Sequence, residues 1–345
     1  MNTIPNPPPP RPRRFKRLFQ NLALFAGVFL LCGLATEIVL RICGYGRLEV
    51  YQPDPKLYWR LLPNQDCFTK IDHKPVHINS LGTRCPEFQE TKPANTLRIL
   101  SLGDSRTFGW GLTDEETYSR RLQRALQQKV GSTPRLEVIN AGVNAWSYPQ
   151  MLVYFREFAL QYKPDFVIVG EANLWTQFSE QSSPEFVKQF MWRVRLKNLL
   201  RRFATYHFFI EVQLKDVYER YRTKFIPVDP AQDTLFKEQQ QGDPDAVFRN
   251  AIESLCQLAR TNGVQPVLLF LPTETDLSAT NMSNVLRAKR EVARRLNLPV
   301  VDLTEDLKPF GKELYLDADP VHLNARGNEI VARRLFESMT NQLSR

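Results

Sequence analysis

Only four histidines occur in the 345 residues, at positions 73, 77, 207 and 322. An acyl hydrolase working near neutral pH commonly uses an imidazole as its base, so the choice is narrow. His322 alone has an orienting acid at hand, in the run Asp319-Pro320-Val321-His322. An aspartate three residues ahead can turn back to one ring nitrogen and fix the tautomer, leaving the other nitrogen to take a proton. A hydroxyl nucleophile is offered by Gly103-Asp104-Ser105, which follows the apolar run 97–102 and precedes Thr107, Gly109 and Gly111. That position sets Ser105 where backbone N–H groups are free as a helix begins. The plainer reading is a glycine-rich turn with Ser105 as a helix cap. Two further turns, Asn140-Ala141-Gly142 and Gly170-Glu171-Ala172-Asn173, also follow apolar runs. The Gly142 N–H and the Asn173 side-chain amide would be donors to a developing oxyanion, although each residue type is equally at home in an ordinary turn.

These residues need a scaffold that brings them to one edge. Apolar runs bounded by Gly, Pro or Asp occur at 97–102, 136–140, 166–169, 264–271 and 300–303. Helical patterns lie between or after them, at 117–129, 150–161, 243–261, 284–296 and 325–343. Continuous apolar strands alternating with amphipathic helices predict an α/β fold with a parallel sheet of about five strands, covered on both faces. In such folds ligands bind at the carboxyl ends of the strands, where all four turns fall.

Taken together, Gly103-Asp104-Ser105, Gly142, Asn173 and Asp319-x-x-His322 resemble the SGNH hydrolases, also called the GDSL esterase/lipase superfamily. The motifs occur in family order at the ends of successive strands, over roughly residues 97 to 343 without an insertion. The piece Ile78-Asn79-Ser80-Leu81-Gly82-Thr83-Arg84 is similar to exported, membrane-anchored bacterial members. The resemblance implies a flavodoxin-like three-layer sandwich. It implies Ser105 as nucleophile, His322 as base and Asp319 as its orienting acid. The Ser105 N–H, Gly142 N–H and Asn173 amide would form the oxyanion hole, and no metal or organic cofactor is required. One block departs from the pattern: Asn173 is followed by Leu174 where the family usually has Asp, and the Gly-to-Asn spacing is one residue longer. Glu171 is either a stand-in for that Asp or a surface residue, and we place it at the surface.

The N-terminus sets the compartment. Residues 1–20 are rich in Pro and Arg and are expected to be a disordered cytoplasmic tail. Leu22 to Leu40 is apolar except for Glu37, long enough to cross roughly 30 Å of hydrocarbon. We read 21–41 as a single transmembrane helix, with Glu37 reaching the headgroups. Five positive residues, Arg11, Arg13, Arg14, Lys16 and Arg17, precede the span. They keep the N-terminus inside and the remainder extracytoplasmic, facing the periplasm. The rival is a cleaved signal peptide, with Gly33-Leu34-Ala35 as its small-x-small site. Residues 42–95, with six prolines, read as an irregular juxtamembrane segment, and 96–345 as the hydrolase domain.

The rhythm breaks at about 176–242, a stretch too long for a simple connection. There Arg193, Lys197 and Arg201 recur at helical spacing beside an apolar stripe of Leu196, Leu199, Leu200 and Phe203. We expect a helical insertion docked on the domain with a solvated basic face; a membrane-surface helix or a lid over an acidic glycan are the sharper readings. The net charge of +9 is concentrated in this insertion and the tail, so the spread basic footprint of a nucleic-acid binder is absent. Export allows Cys67 and Cys85 to pair; with His73 and His77 between them they could instead hold zinc, but Pro75 excludes a helical His pair. The expected function is a membrane-anchored serine esterase acting on an acylated glycan. The alternatives are acyl transfer to a glycan, a lipid or thioester substrate, and a non-catalytic glycan-binding module.

Overall fold

The computed structural model describes residues 13–48, 50–69, 73–172, 184–214, 217, 246–279 and 281–343. A long helix, α1 (Arg13–Ile42), leads into two antiparallel hairpins, β1 (Tyr51–Asp54) with β2 (Tyr58–Leu61) and β3 (Gln65–Phe68) with β4 (Pro75–Ile78). The sheet region then runs β5 (Thr96–Gly103), α2 (Ser105–Phe108), α3 (Tyr118–Val130), β6 (Arg135–Gly142), α4 (Tyr148–Tyr154) and β7 (Phe166–Val169). Next come α5 (Pro184–Arg201), α6 (Ala204–Tyr206), α7 (Ala246–Thr261), β8 (Gln265–Phe270), α8 (Glu274–Ser278), α9 (Asn284–Leu296) and β9 (Val300–Asp302). The chain closes with α10 (Thr304–Leu307), a small hairpin of β10 (Tyr315–Leu316) and β11 (Asp319–Leu323), and α11 (Ala325–Leu343).

Five parallel strands form the central sheet in the order β6-β5-β7-β8-β9. This is the doubly wound order of flavodoxin-like folds, in which the chain reverses direction across the sheet at the first strand. Successive residues of each strand serve opposite cores. Leu100, Leu102, Val167 and Leu268 pack with Met151, Leu255 and Val292 of α4, α7 and α9. Ile99, Ile168, Val267 and Val301 pack with Leu122 and Leu335 of α3 and α11. Both faces are therefore dry, which is why the strands read as unbroken apolar runs.

Two expectations need correction. Residues 42–95 are not irregular: they carry the two hairpins, joined to the domain by a bond from Trp59 Nε1 to Asn144 O and one from Trp146 Nε1 to Trp59 O. The insertion helix α5 is also turned the other way. Phe190 packs against Tyr58 and Trp59, and Asn198 bonds the Tyr51 backbone. Arg201 is buried in an ion pair with Glu211, while Leu196, Leu199, Leu200 and Phe203 are exposed. The aromatic and amide contacts to the first hairpin fix this rotation, so the apolar stripe points away from the protein.

Cys67 and Cys85 are both free thiols. Burial pushes the Cys85 thiol up to about 11, against the pull of the Thr83 hydroxyl. His73 and His77 diverge, the first bonding Gly44 O and the second Asp66, so the four residues weighed for zinc do not converge.

Candidate active site

Ser105 opens α2 directly above β5, and Asp104 caps that single turn by accepting from the Arg106 N–H. The turn lies across the ends of three strands, and glycine makes room for it. A Cβ on Gly103 would sit 1.9 Å from Thr107 Oγ1, one on Gly142 2.2 Å from the Phe108 nitrogen, and one on Gly170 2.6 Å from Thr107 Oγ1. Each approach is closer than any real carbon contact, so all three positions are dictated by the packing of α2.

His322 and Asp319 belong to β11, a strand of a bulged hairpin rather than the loop expected from the sequence. The hairpin aims the imidazole at the start of α2. His322 Nε2 lies 2.7 Å from Ser105 Oγ, and His322 Nδ1 lies 2.7 Å from Asp319 Oδ2. The other carboxylate oxygen, Oδ1, accepts from the backbone N–H groups of Val321 and His322. With Nδ1 protonated toward the acid, Nε2 is the acceptor for the Ser105 hydroxyl proton, which is the arrangement of a nucleophile, base and orienter. The Trp110 ring stands 6.0 Å from the imidazole.

Burial alone would raise the Asp319 carboxyl. The hydrogen bond and charge of His322, with the two backbone donors, outweigh burial and hold it below the usual carboxylate range. As pH falls from about 5 to about 3, the unfolded chain takes up this proton before the folded one, so this contribution to stability is lost as pH drops through the folded value. Asp319→Asn should therefore show a shallower loss of melting temperature over that range than the parent. An identical slope would mean that Asp319 is not a linked group.

The Gly142 N–H donates to Asn140 Oδ1 at 3.0 Å. The absence of a side chain there is also required by the close approach of α2. The turn beyond it holds Ala145 at φ 64, a left-handed conformation uncommon for a residue with a Cβ. Asn173 and Leu174 lie outside the described residues.

Glu171 is not a surface residue. It is buried, and its Oε1 lies 2.6 Å from Lys289 Nζ of α9. Lys289 also donates to the carbonyls of Gly170 and Leu269, tying together the ends of β7 and β8. The Glu171 carbonyl in turn accepts from the Asp104 N–H, beside the nucleophile. Asp104 and Arg106 form a second buried pair; burial would raise the Asp104 carboxyl, but the Arg106 charge and hydrogen bonds hold it down. A third clamp is Arg84, whose guanidinium bonds Asp114 and the carbonyls of Phe108, Gly109 and Leu112. Sequence reasoning missed Lys289 and the clamping role of Arg84, because their partners are remote along the chain.

No family model and no curated protein matches this chain. It is similar to solved structures at low identity. The lipase/acylhydrolase from Enterococcus faecalis is 15% identical over 71% of this chain and 96% of its own, with a TM-score of 0.43. The esterase EstA from a Pseudoalteromonas species is 14% identical over 73% and 100%, with a TM-score of 0.43. An acetyl xylan esterase is 18% identical over 70% and 99%, with a TM-score of 0.43.

Proposed function

We propose that the chain is an SGNH-type serine esterase, held in the cell membrane by α1 with its catalytic domain extracytoplasmic, that removes acyl groups from glycans. The observation that carries the reading is the continuous relay Ser105–His322–Asp319, with both hydrogen bonds at 2.7 Å. Ser105 Oγ attacks the ester carbonyl as His322 takes its proton. The tetrahedral oxyanion is met by the Ser105 N–H and the Asn173 amide. His322 then gives the proton to the leaving alcohol, and water repeats the sequence on the acyl-enzyme.

Three features support the setting. Among the described residues, Lys16–Ile42 is one helix long and apolar enough to cross a membrane. The basic residues between 11 and 17, at its N-terminal end, favour an extracytoplasmic domain, the compartment in which surface glycans lie. The Trp110 indole, 6.0 Å from the His322 ring, offers an apolar surface beside the base.

Serine-reactive fluorophosphonate tests the core of this reading without knowledge of the substrate. The purified protein should be labelled on Ser105 and lose hydrolysis of a small aryl acetate in step with labelling. A protein that stays unlabelled and inert would be a non-catalytic module.

A further inference from the structure

We infer that the outward stripe of α5 rests in the headgroup layer of the same bilayer that α1 crosses, so that the domain is seated on the membrane rather than tethered above it. The inference rests on the reading of α1 as a membrane span.

Trp192, Leu196 and Leu199 follow one another at helical spacing on α5 and are 60%, 40% and 52% exposed. Phe203, the extended residue that precedes α6, is 48% exposed. Phe209, in the π-helical segment 207–213 that follows α6, is exposed as well. Soluble surfaces seldom leave such a contiguous apolar strip in water. The exposed Arg195 and Arg202 flank it, as suits anionic headgroups.

The depth of the stripe is fixed by direct bonds to α1. Glu37 Oε1 accepts from the Ala204 N–H at 2.9 Å, and Oε2 accepts from the Thr205 N–H at 3.0 Å and its hydroxyl at 3.1 Å. Arg41 donates to the Arg202 carbonyl at 2.6 Å. Phe203 therefore lies between two residues bonded to the last two turns of α1, where a span of this length leaves the hydrocarbon. Aromatic side chains are favoured at that level. No slack follows: the Gly46 N–H bonds His207 Nδ1, and the Tyr45 ring packs on His207 and Phe208. Glu37 thus caps α6 instead of reaching freely into the headgroups. A second copy of the chain or another protein would also cover apolar surface, but neither accounts for its bonding to the end of the span.

The test uses the full chain in vesicles of phosphatidylcholine and phosphatidylglycerol that carry a nitroxide just below the headgroup. Single cysteines are introduced as Leu199→Cys, Phe203→Cys, Val28→Cys within the span, or Met282→Cys on an exposed site ahead of α9. The background carries Cys32→Ser and Cys43→Ser, and a bimane dye reports quenching. Hydrolysis of a soluble ester verifies that each variant is folded. Quenching at 199 and 203 should come within about twofold of that at 28 and exceed that at 282 severalfold. Quenching at 199 and 203 no greater than at 282, with 28 strongly quenched, would overturn the seating while leaving the span intact. An unquenched position 28 would remove the anchor itself, and the seating with it.

Discussion

Ser105→Ala should lower kcat for a small aryl acetate by about a million-fold, leaving only the rate that substrate positioning and the oxyanion donors supply. His322 Nε2 is 2.7 Å from the Ser105 hydroxyl, so the base has no function once that oxygen is gone. His322→Ala should therefore be nearly as damaging, and the double variant little worse than either, because the two residues act as one unit. Asp319→Asn should leave more activity, with a loss of about 10,000-fold. Its remaining oxygen can still accept from the Val321 and His322 N–H groups and hold the hairpin, while the amide now faces Nδ1 and disfavours the productive tautomer. Steady-state rates with titrated active sites check all three. Near-parental activity in Ser105→Ala would remove it as the nucleophile.

The sequence could carry this much because each catalytic group is locally marked. Ser105 ends an apolar run through a glycine, and Asp319 and His322 are three residues apart, close enough in the chain for the bulged hairpin to bring them together. The strands were legible for a related reason: with helices on both faces, no strand residue needs to be polar, and the runs at 97–102 and 264–271 stand out. The rotation of α5 was not legible. Its apolar stripe reads as a core face, and the reversal depends on Phe190 meeting the first hairpin and on Arg201 finding Glu211, contacts no local pattern encodes. Gly142 was legible only in part: a glycine after a strand fits a donor of N–H, while its second use as a gap for Phe108 follows only from the packing of α2.

Glu171 is the sharpest instance, since a carboxylate in a turn normally belongs in water and its partner lies 118 residues further on. Lys289→Met should destabilise the fold by about 3–5 kcal/mol, because it removes the ion-pair partner of the Glu171 carboxylate in a dry interior and leaves it the Leu271 N–H, the Tyr148 hydroxyl and the more distant Arg106 charge. Burial pushes the Lys289 ammonium below its usual range; Glu171, and more weakly Asp104, oppose that push, so the cation is held mainly by Glu171 and the two carbonyls. Glu171→Gln should cost a comparable amount by stranding the cation instead. Combining the two changes removes both charges at once, and the double variant should recover at least half of the summed loss in a denaturant-midpoint cycle. The same variants should lower kcat for a small ester more than they raise KM, since the Glu171 carbonyl holds the Asp104 N–H next to Ser105. Single variants costing under about 1 kcal/mol, or a double variant as unstable as the sum, would show that the pair is not what joins β7 and β8 beneath the nucleophile.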